Sequence, residues 1–277
     1  MFENTKNGFE ARIIGIVTSA NRKDPEAWKA LAECDIAEFR ADLWEPSRIV
    51  EEARAFREEC IRAFGHPLET IFTLRLQRDG GAWPDVLAAE REKIWLALEL
   101  DGDGALCDWI DLEVESIPSL SAALRKSIAA RHVKVLASHH NFAGSYSPPE
   151  LSRLGRELKA TGADAVKLAV LCRDRAQLLD LLAFARETAA AVSVSGGSAC
   201  VLSMGELGKA SRVLGPWLGC ALTYGYLSGG AVAPGQLSVR QLREFYAKSS
   251  ADAPAELSVS RLLDWAQARL PGDSDAD

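Results

Sequence analysis

One lysine stands inside an otherwise apolar run, AVKLAV at residues 165–170. Burying an ammonium group is costly, so Lys167 indicates a specific use. Strand alternation places it on one face with Ala165 and Ala169, whose small side chains leave space around the amine. Desolvation there would lower the lysine pKa and supply a neutral nucleophile, which can condense with a ketone to form an iminium ion. The alternative is a structural ion pair with Glu113 or another carboxylate.

A histidine pair ends the preceding apolar run, and His140 is the candidate proton carrier because imidazole titrates near neutrality. Alternation points His139 to the opposite face. A lone histidine at a strand end is structural about as often as catalytic. Lys167 on the next strand favours the catalytic interpretation.

Eight short apolar runs must position these groups, and several are near-continuous in Val, Ile, Leu and Ala, as in parallel strands covered on both faces. The predicted strands are residues 12–18, 35–39, 70–76, 109–114, 133–138, 165–170, 199–203 and 219–223. Amphipathic segments lie between them. Asp24, Ser147 and Asp174 precede predicted helices at 26–33, 150–161 and 175–190, and Gly162 is a predicted helix end.

Eight strand–helix repeats in this order predict an α/β fold, a (β/α)₈ TIM barrel. The 277 residues fit one barrel, which needs roughly 250, so we expect a single domain over 1–277 with disordered tails at 1–11 and 271–277. A doubly wound open sheet is the alternative. The sequence has neither a dinucleotide-binding Gly-x-Gly-x-x-Gly after the first strand nor a P-loop.

The net charge of −7 and pI near 5.3 argue against nucleic acid or a membrane surface as a general partner. An acidic small molecule stays possible, because a few arginines can focus a positive field in a cleft. The six cysteines are scattered without metal-site spacing, which indicates buried free thiols in a reducing compartment. We therefore expect a cytoplasmic protein.

Barrel chemistry sits at the carboxyl ends of the strands, and nearly every predicted strand ends in a polar group. Such groups are Glu38, Arg40, Asp42, Arg75, Glu113, His140, Lys167, Ser203 and Tyr224. Solvated strand ends would explain about half of them. Their clustering predicts a polar pocket.

The ordered motifs resemble type I 3-dehydroquinate dehydratase between about residues 12 and 247. They are Glu38-x-Arg40-x-Asp42, Phe72-Thr73-Leu74-Arg75 with Asp79-Gly80-Gly81, Ile110-Asp111-Leu112-Glu113, Ser138-His139-His140-Asn141-Phe142, the lysine strand, Ser203-Met204-Gly205, Ser211-Arg212, and residues 233–238 (APGQLS). Each motif alone is weak. Their order makes the resemblance specific.

This resemblance implies a hydro-lyase that converts 3-dehydroquinate to 3-dehydroshikimate without metal or cofactor, in the shikimate pathway or in quinate breakdown. Lys167 would form the imine with the C3 ketone, and His140 would remove a C2 proton and then protonate the leaving C1 hydroxyl. Asp79 stands where the family carries the glutamate that orients the histidine. The implied substrate-binding set is Glu38, Arg40, Arg75, Arg212, Gln236, Ser19, Met204 and Tyr224. The family is usually homodimeric.

Several positions depart from the family pattern. Asp79 is one methylene shorter than glutamate, Asn141 replaces an aspartate, and Tyr224 replaces a phenylalanine. Val232 stands where the closing loop usually carries a substrate-binding serine. These departures leave two alternatives to a dehydroquinate dehydratase: a Schiff-base barrel acting on a related cyclic keto acid, and a sensor that binds quinate-like ligands without turnover.

Overall fold

The computed structural model describes residues 11–98, 106–131, 133–249 and 258–271. Residues 1–10 and 272–277, which make up nearly all of the two predicted tails, lie outside these ranges. The single domain over the whole chain stays a prediction.

Eight parallel strands form a nearly closed barrel, which confirms the predicted fold. They are β1 (Arg12–Val17), β2 (Ile36–Arg40), β3 (Thr70–Thr73), β4 (Trp109–Glu113), β5 (Lys134–Asn141), β6 (Ala165–Leu171), β7 (Ser198–Met204) and β8 (Leu222–Tyr226). Seven parallel ladders join them in the order β7-β6-β5-β4-β3-β2-β1-β8. Across β5, β6 and β7, Lys167 is in register with Ser138 and Cys200.

Helices cover the outside of the barrel. They are α1 (Pro25–Leu31), α2 (Ile49–Phe64), α3 (Arg91–Ala97), α4 (Ala122–Arg131), α5 (Pro148–Ala160), α6 (Arg175–Ser193), α7 (Lys209–Leu214), α8 (Val239–Ser249) and α9 (Val259–Gln267). The predicted start signals are confirmed at α1 and α6, where the Asp24 and Asp174 side chains accept backbone N–H groups of the first turn. Gly162 follows the C-cap residue of α5, Thr161, and has a φ of 68°.

Three strands differ from their predicted bounds by three residues at one end or both, and the other five by a single residue at one end or both. The run at 219–223 overlaps β8 only at its end, because Gly219 adopts a φ of 83° and terminates the helical turn Gly215–Leu218. β3 ends at Thr73, three residues early. β5 continues to Asn141, so both histidines belong to the strand.

Apolar side chains fill the lower lumen, and polar groups occupy the end where the strands finish. The lumen cluster consists of Ile14, Ile16, Ile36, Ile71, Trp109, Leu136, Ala165, Cys200, Leu202, Leu222 and Tyr224. A larger apolar layer lies between the strands and the helices. This packed floor leaves room for chemistry only near the carboxyl ends of the strands.

All six cysteines are buried free thiols, as predicted. No helix within the described ranges has the length and apolar character needed to span a membrane.

Candidate active site

A chamber of about 90 Å³ lies at the carboxyl end of the barrel. Ten of the eleven predicted site residues line it: Lys167, His140, Asp79, Glu38, Arg40, Arg75, Arg212, Gln236, Met204 and Tyr224. Ser19 does not. It is exposed and lines a separate groove beside α1 and α2, because the chain has already left the barrel end of β1 at that point. The prediction that Ser19 contacts the ligand therefore lacks structural support.

Lys167 projects into the lumen from the middle of β6 and is 7% exposed. Ala165 and Ala169 share its face, as the alternation predicted. Its Nζ lies 3.9 Å from Oε1 of Glu38 and 3.7 Å from the centre of the Tyr224 ring. Burial lowers the lysine pKa, and the nearby carboxylates of Glu38 and Asp111 only partly offset this effect. The amine is therefore a better nucleophile near neutral pH than a solvated lysine.

His140, the second-last residue of β5, lines the chamber, and its ring stacks on the Phe142 ring with 6.5 Å between ring centres. Burial lowers the pKa of His140 well below its usual value, and the cations of Arg75 and Lys167 add to the shift. A neutral imidazole can accept a proton, so His140 is suited to act as a general base. His139 points the other way and contacts Glu115 and Tyr146 outside the lumen.

Asp79 follows β3 and shares the chamber with His140, yet the two do not hydrogen-bond. Oδ2 of Asp79 and Nδ1 of His140 are both buried without a hydrogen-bond partner among the described residues, and Oδ2 lies 3.5 Å from Nε of Arg78. The two glycines after Asp79 bring this loop close to the barrel: a Cβ at Gly81 would lie 2.1 Å from the Arg75 carbonyl oxygen. Burial raises the Asp79 pKa, and the Glu113 carboxylate raises it further.

A buried polar network holds Arg75. Its guanidinium donates to Asp111 at 2.5 Å and to the Ser138 hydroxyl at 2.7 Å, and Ser138 also donates to Asp111. Each of these groups is almost fully buried. Arg75 is thus fixed in one orientation at the chamber wall, with its charge compensated by Asp111.

Side-chain hydrogen bonds also fix the polar residues of β2, Arg40 and Glu38. Arg40 donates twice to Asp42, at 2.8 and 2.7 Å, in the fork geometry that orders a guanidinium. Glu38 accepts a 3.0 Å hydrogen bond from the Thr73 hydroxyl. The chamber therefore presents donors and acceptors on rigid strands.

Arg212 differs from these arginines because no carboxylate of the described chain pairs with it. It is 3% exposed, its Nε lacks a hydrogen-bond partner, and Nη2 lies 3.5 Å from the Pro234 carbonyl oxygen. Burial lowers the Arg212 pKa to about 10. An uncompensated buried guanidinium facing a chamber is a strong site for an anionic ligand.

The loop after β8 covers the chamber. The Gln236 side-chain oxygen holds this loop by accepting hydrogen bonds from the backbone N–H groups of Val232 and Ala233, at 3.0 and 3.3 Å. Gly235, at a φ of 69°, packs so tightly that a Cβ would lie 2.0 Å from the Gly205 carbonyl oxygen. Val232 lines the chamber from this loop and is 39% exposed.

The sequence did not single out one supporting residue, Arg91. Arg91, at the start of α3, donates to Glu113 at 2.6 Å and to the Leu74 carbonyl at 2.9 Å. Glu113 in turn accepts a 3.3 Å hydrogen bond from the Leu76 N–H, which ties the segment leading to Asp79 to β4. Charged residues in amphipathic helices are usually solvated, so nothing marked Arg91 as buried. No cluster of metal-ligating side chains occurs in the part of the chain described.

The fold and this chamber define a (β/α)₈-barrel protein with a buried lysine and histidine on adjacent strands. Residues 13–253 match the family model of type I 3-dehydroquinase. The chain belongs to the type I 3-dehydroquinase family, which confirms the resemblance found in the sequence and the assignment as an enzyme of this family.

The sequences of known 3-dehydroquinate dehydratases match most of the chain. The 3-dehydroquinate dehydratase of Enterococcus faecalis is 31% identical over 214 residues, which cover 77% of this chain and 81% of that protein. The enzyme of the same name from Methanococcoides burtonii is 31% identical and covers 83% of this chain and 91% of its own.

A solved structure of the Clostridium difficile type I 3-dehydroquinate dehydratase, with covalently modified comenic acid, is 27% identical. The alignment has a TM-score of 0.69 and covers 88% of this chain and 95% of that one. The Geobacillus kaustophilus 3-dehydroquinate dehydratase matches in fold with a TM-score of 0.74, 24% identity, and coverage of 88% and 93%.

Proposed function

We propose that this protein dehydrates 3-dehydroquinate to 3-dehydroshikimate through an imine at Lys167. The observation that carries the proposal is the buried Lys167 amine in one chamber with His140 and the uncompensated Arg212 guanidinium. Together they supply a nucleophile, a proton acceptor and an anion site, which a cyclic keto acid requires.

Lys167 begins the reaction. Its neutral amine attacks the C3 carbonyl carbon, and the carbinolamine loses water to give a protonated imine. This cation withdraws electrons from the adjacent C2–H bond and makes its proton acidic. Burial of the amine supports the first step because it lowers the Lys167 pKa.

His140 then transfers the proton. The neutral imidazole takes a proton from C2, and the bonding electrons move toward the iminium nitrogen to give an enamine. The imidazolium returns that proton to the C1 hydroxyl as the C1–O bond breaks and water leaves. Water hydrolyses the resulting conjugated imine, which releases the product and restores the Lys167 amine. His140 also assists formation and hydrolysis of the imine.

The remaining chamber residues orient the substrate. Arg212 binds the carboxylate, because its guanidinium fork matches that geometry and has no competing carboxylate in the described chain. Glu38, Arg40 and Arg75 hold the ring hydroxyls, Met204 and Tyr224 complete the wall, and Gln236 keeps the loop after β8 over the ligand. Closure excludes bulk water and protects the imine. Binding requires this loop to adjust, because the chamber measures only about 90 Å³.

A turnover assay tests this function. Purified protein is mixed with 3-dehydroquinate, and 3-dehydroshikimate is followed by its conjugated-ketone absorbance. We expect turnover by the wild-type protein and a loss of at least about 10³-fold in kcat for Lys167→Ala. Lys126→Ala, a lysine on α4 outside the chamber, is the matched control and keeps full activity. Complete stability of 3-dehydroquinate in the presence of folded protein would remove the assignment.

Val232 favours a second candidate, a Schiff-base lyase for a related cyclic keto acid. Its apolar side chain lines the chamber and cannot hydrogen-bond a ligand hydroxyl. A ring that lacks one hydroxyl would then fit as well as 3-dehydroquinate does. A panel of cyclic keto acids, compared by kcat/KM, separates the two candidates. A value at least tenfold higher for another ring identifies that compound as the substrate.

We also propose a single-domain homodimer that acts in the shikimate pathway or in quinate breakdown, by analogy with the family. Light scattering on the full chain gives the oligomeric state directly. A mass equal to the 30.0 kDa chain at micromolar concentration would contradict the dimer.

A further inference from the structure

The Tyr224 side chain lies directly beneath the Lys167 amine. Nζ of Lys167 is 3.7 Å from the centre of the Tyr224 ring, well inside the range at which a cation is attracted to an aromatic face. Tyr224 is 2% exposed, so water does not weaken this contact. It projects into the lumen from β8, almost opposite β4, the strand that carries Asp111.

Other groups also face this amine, and they belong to nearly every strand. They are Glu38 on β2, Arg75 just after β3, Asp111 on β4, His140 on β5 and the Cys200 thiol on β7. The carboxylate nearest to the amine among the ion pairs of the described chain, that of Glu38, is 3.9 Å away and outside hydrogen-bond distance. The centre of the aromatic face is therefore nearer to Nζ than the Glu38 carboxylate is.

Ring contact and hydrogen bonding act differently on the two cations that Lys167 can carry. An ammonium group has three N–H donors, whereas the iminium formed with a ketone keeps one. Hydrogen-bond acceptors therefore stabilise the ammonium more than the iminium. An aromatic face attracts charge without requiring a donor in a fixed direction, so its contribution is largely kept when the imine forms.

We propose that Tyr224 is a further catalytic residue, whose ring face stabilises the positive charge of the iminium at Lys167. The proposal rests on the proposed imine chemistry and assigns the electrostatic partner of its intermediate. The phenol hydroxyl plays no part in this contact. It has no hydrogen-bond partner among the described residues, so the ring and the hydroxyl can be tested separately.

The test compares Tyr224→Phe, which keeps the ring, with Tyr224→Leu, which removes it. Each protein is held at steady state with 3-dehydroquinate and cyanoborohydride, and intact mass gives the rate of reductive trapping at Lys167. Tyr226→Leu, on the same strand but outside the chamber lining, is the matched control. Melting temperatures confirm that all variants are folded.

We expect Tyr224→Leu to lower the trapping rate about 5- to 30-fold, while Tyr224→Phe stays within about threefold of wild type. Equal trapping by the Leu variant and the wild type would overturn the proposal. Equal losses in the Phe and Leu variants would overturn it too, because they would assign the effect to the hydroxyl.

A second readout needs no substrate, so it separates failure of this proposal from failure of the dehydratase assignment. The rate of Lys167 modification by a small electrophile, measured against pH, gives the pKa of the amine. Loss of the ring should lower that pKa by about 0.5 to 1.5 units in Tyr224→Leu and leave it unchanged in Tyr224→Phe. An unchanged pKa in the Leu variant would overturn the ring contact even if 3-dehydroquinate proves to be the substrate. If the shift appears but the wild type neither traps nor turns over 3-dehydroquinate, the contact stands and the substrate assignment fails.

Discussion

Asp79 and His140 face the same chamber with complementary atoms that do not meet. Oδ2 of the carboxylate and Nδ1 of the imidazole are both buried, and neither has a hydrogen-bond partner among the described residues. A buried polar atom without a partner costs about 1–3 kcal/mol. The resemblance to the family implies a glutamate at this position, which is one methylene longer than Asp79.

Asp79→Glu should close this contact. A carboxylate that accepts the Nδ1 proton orients the ring and raises the His140 pKa, which burial and nearby cations otherwise hold well below its usual value. We expect the acid limb of the kcat/KM–pH profile to move to higher pH and kcat to rise about 2- to 10-fold. Asp79→Asn is the control, since it keeps the size without the charge. A Glu variant whose acid limb coincides with that of the wild type would show that Asp79 does not act through His140.

Arg212→Met should make the protein more stable and weaken its binding of the keto acid. Burial without a carboxylate partner lowers the Arg212 pKa to about 10, so the unliganded protein is destabilised by this charge. Replacing it with an apolar side chain should raise the free energy of unfolding by about 1–3 kcal/mol. KM for the keto acid should rise on the order of 10²-fold because the carboxylate loses its partner. Urea denaturation and steady-state kinetics measure both effects. A variant that is less stable and binds normally would argue that Arg212 is structural.

The pH dependence of stability should carry a His140 contribution. Its folded pKa is depressed, so the unfolded chain binds the proton first as the pH falls. This stability is fully present above the unfolded pKa of about 6.5 and is lost below it, at no more than about 1.4 kcal/mol per pH unit. Chemical denaturation of the wild type and His140→Gln at pH 7.5 and 5 (about one unit above and 1.5 units below that pKa) isolates the contribution. If the wild type and His140→Gln lose the same stability between pH 7.5 and 5, the acid sensitivity belongs to other groups.

Arg91 and Glu113 should be strongly coupled. Their 2.6 Å ion pair is buried and supports the segment between β3 and Asp79. Arg91→Met should cost about 3–5 kcal/mol because it leaves a buried carboxylate short of a partner. The double variant Arg91→Met with Glu113→Gln should lose less free energy of unfolding than the two single variants lose in sum. Strict additivity in urea denaturation would contradict this coupling.

The strand candidates and polar strand ends predicted the barrel and most of the chamber. This worked because parallel strands buried on both faces leave near-continuous apolar runs, against which Lys167 is conspicuous. The predicted start of β8 was wrong because the left-handed turn at Gly219 depends on the preceding helical turn Gly215–Leu218. A strand propensity does not report such a backbone turn.

The missed features depend on tertiary packing. Arg91 reads as a surface residue of an amphipathic helix, and only the folded chain brings it against Glu113. Ser19 follows β1 in sequence, but the chain turns outward there and leaves it beside the outer groove. The ring of Tyr224 approaches Lys167 across the lumen from a strand 57 positions later, a distance that no sequence pattern encodes.

Reductive trapping tests the central claim most directly. The protein is incubated with 3-dehydroquinate and borohydride, and the intact mass and the modified peptide are determined. The imine mechanism predicts one ligand-sized adduct, located on Lys167, and none in the Lys167→Ala variant. A protein that turns over 3-dehydroquinate without any adduct, or with the adduct on another lysine, would contradict the role assigned to Lys167.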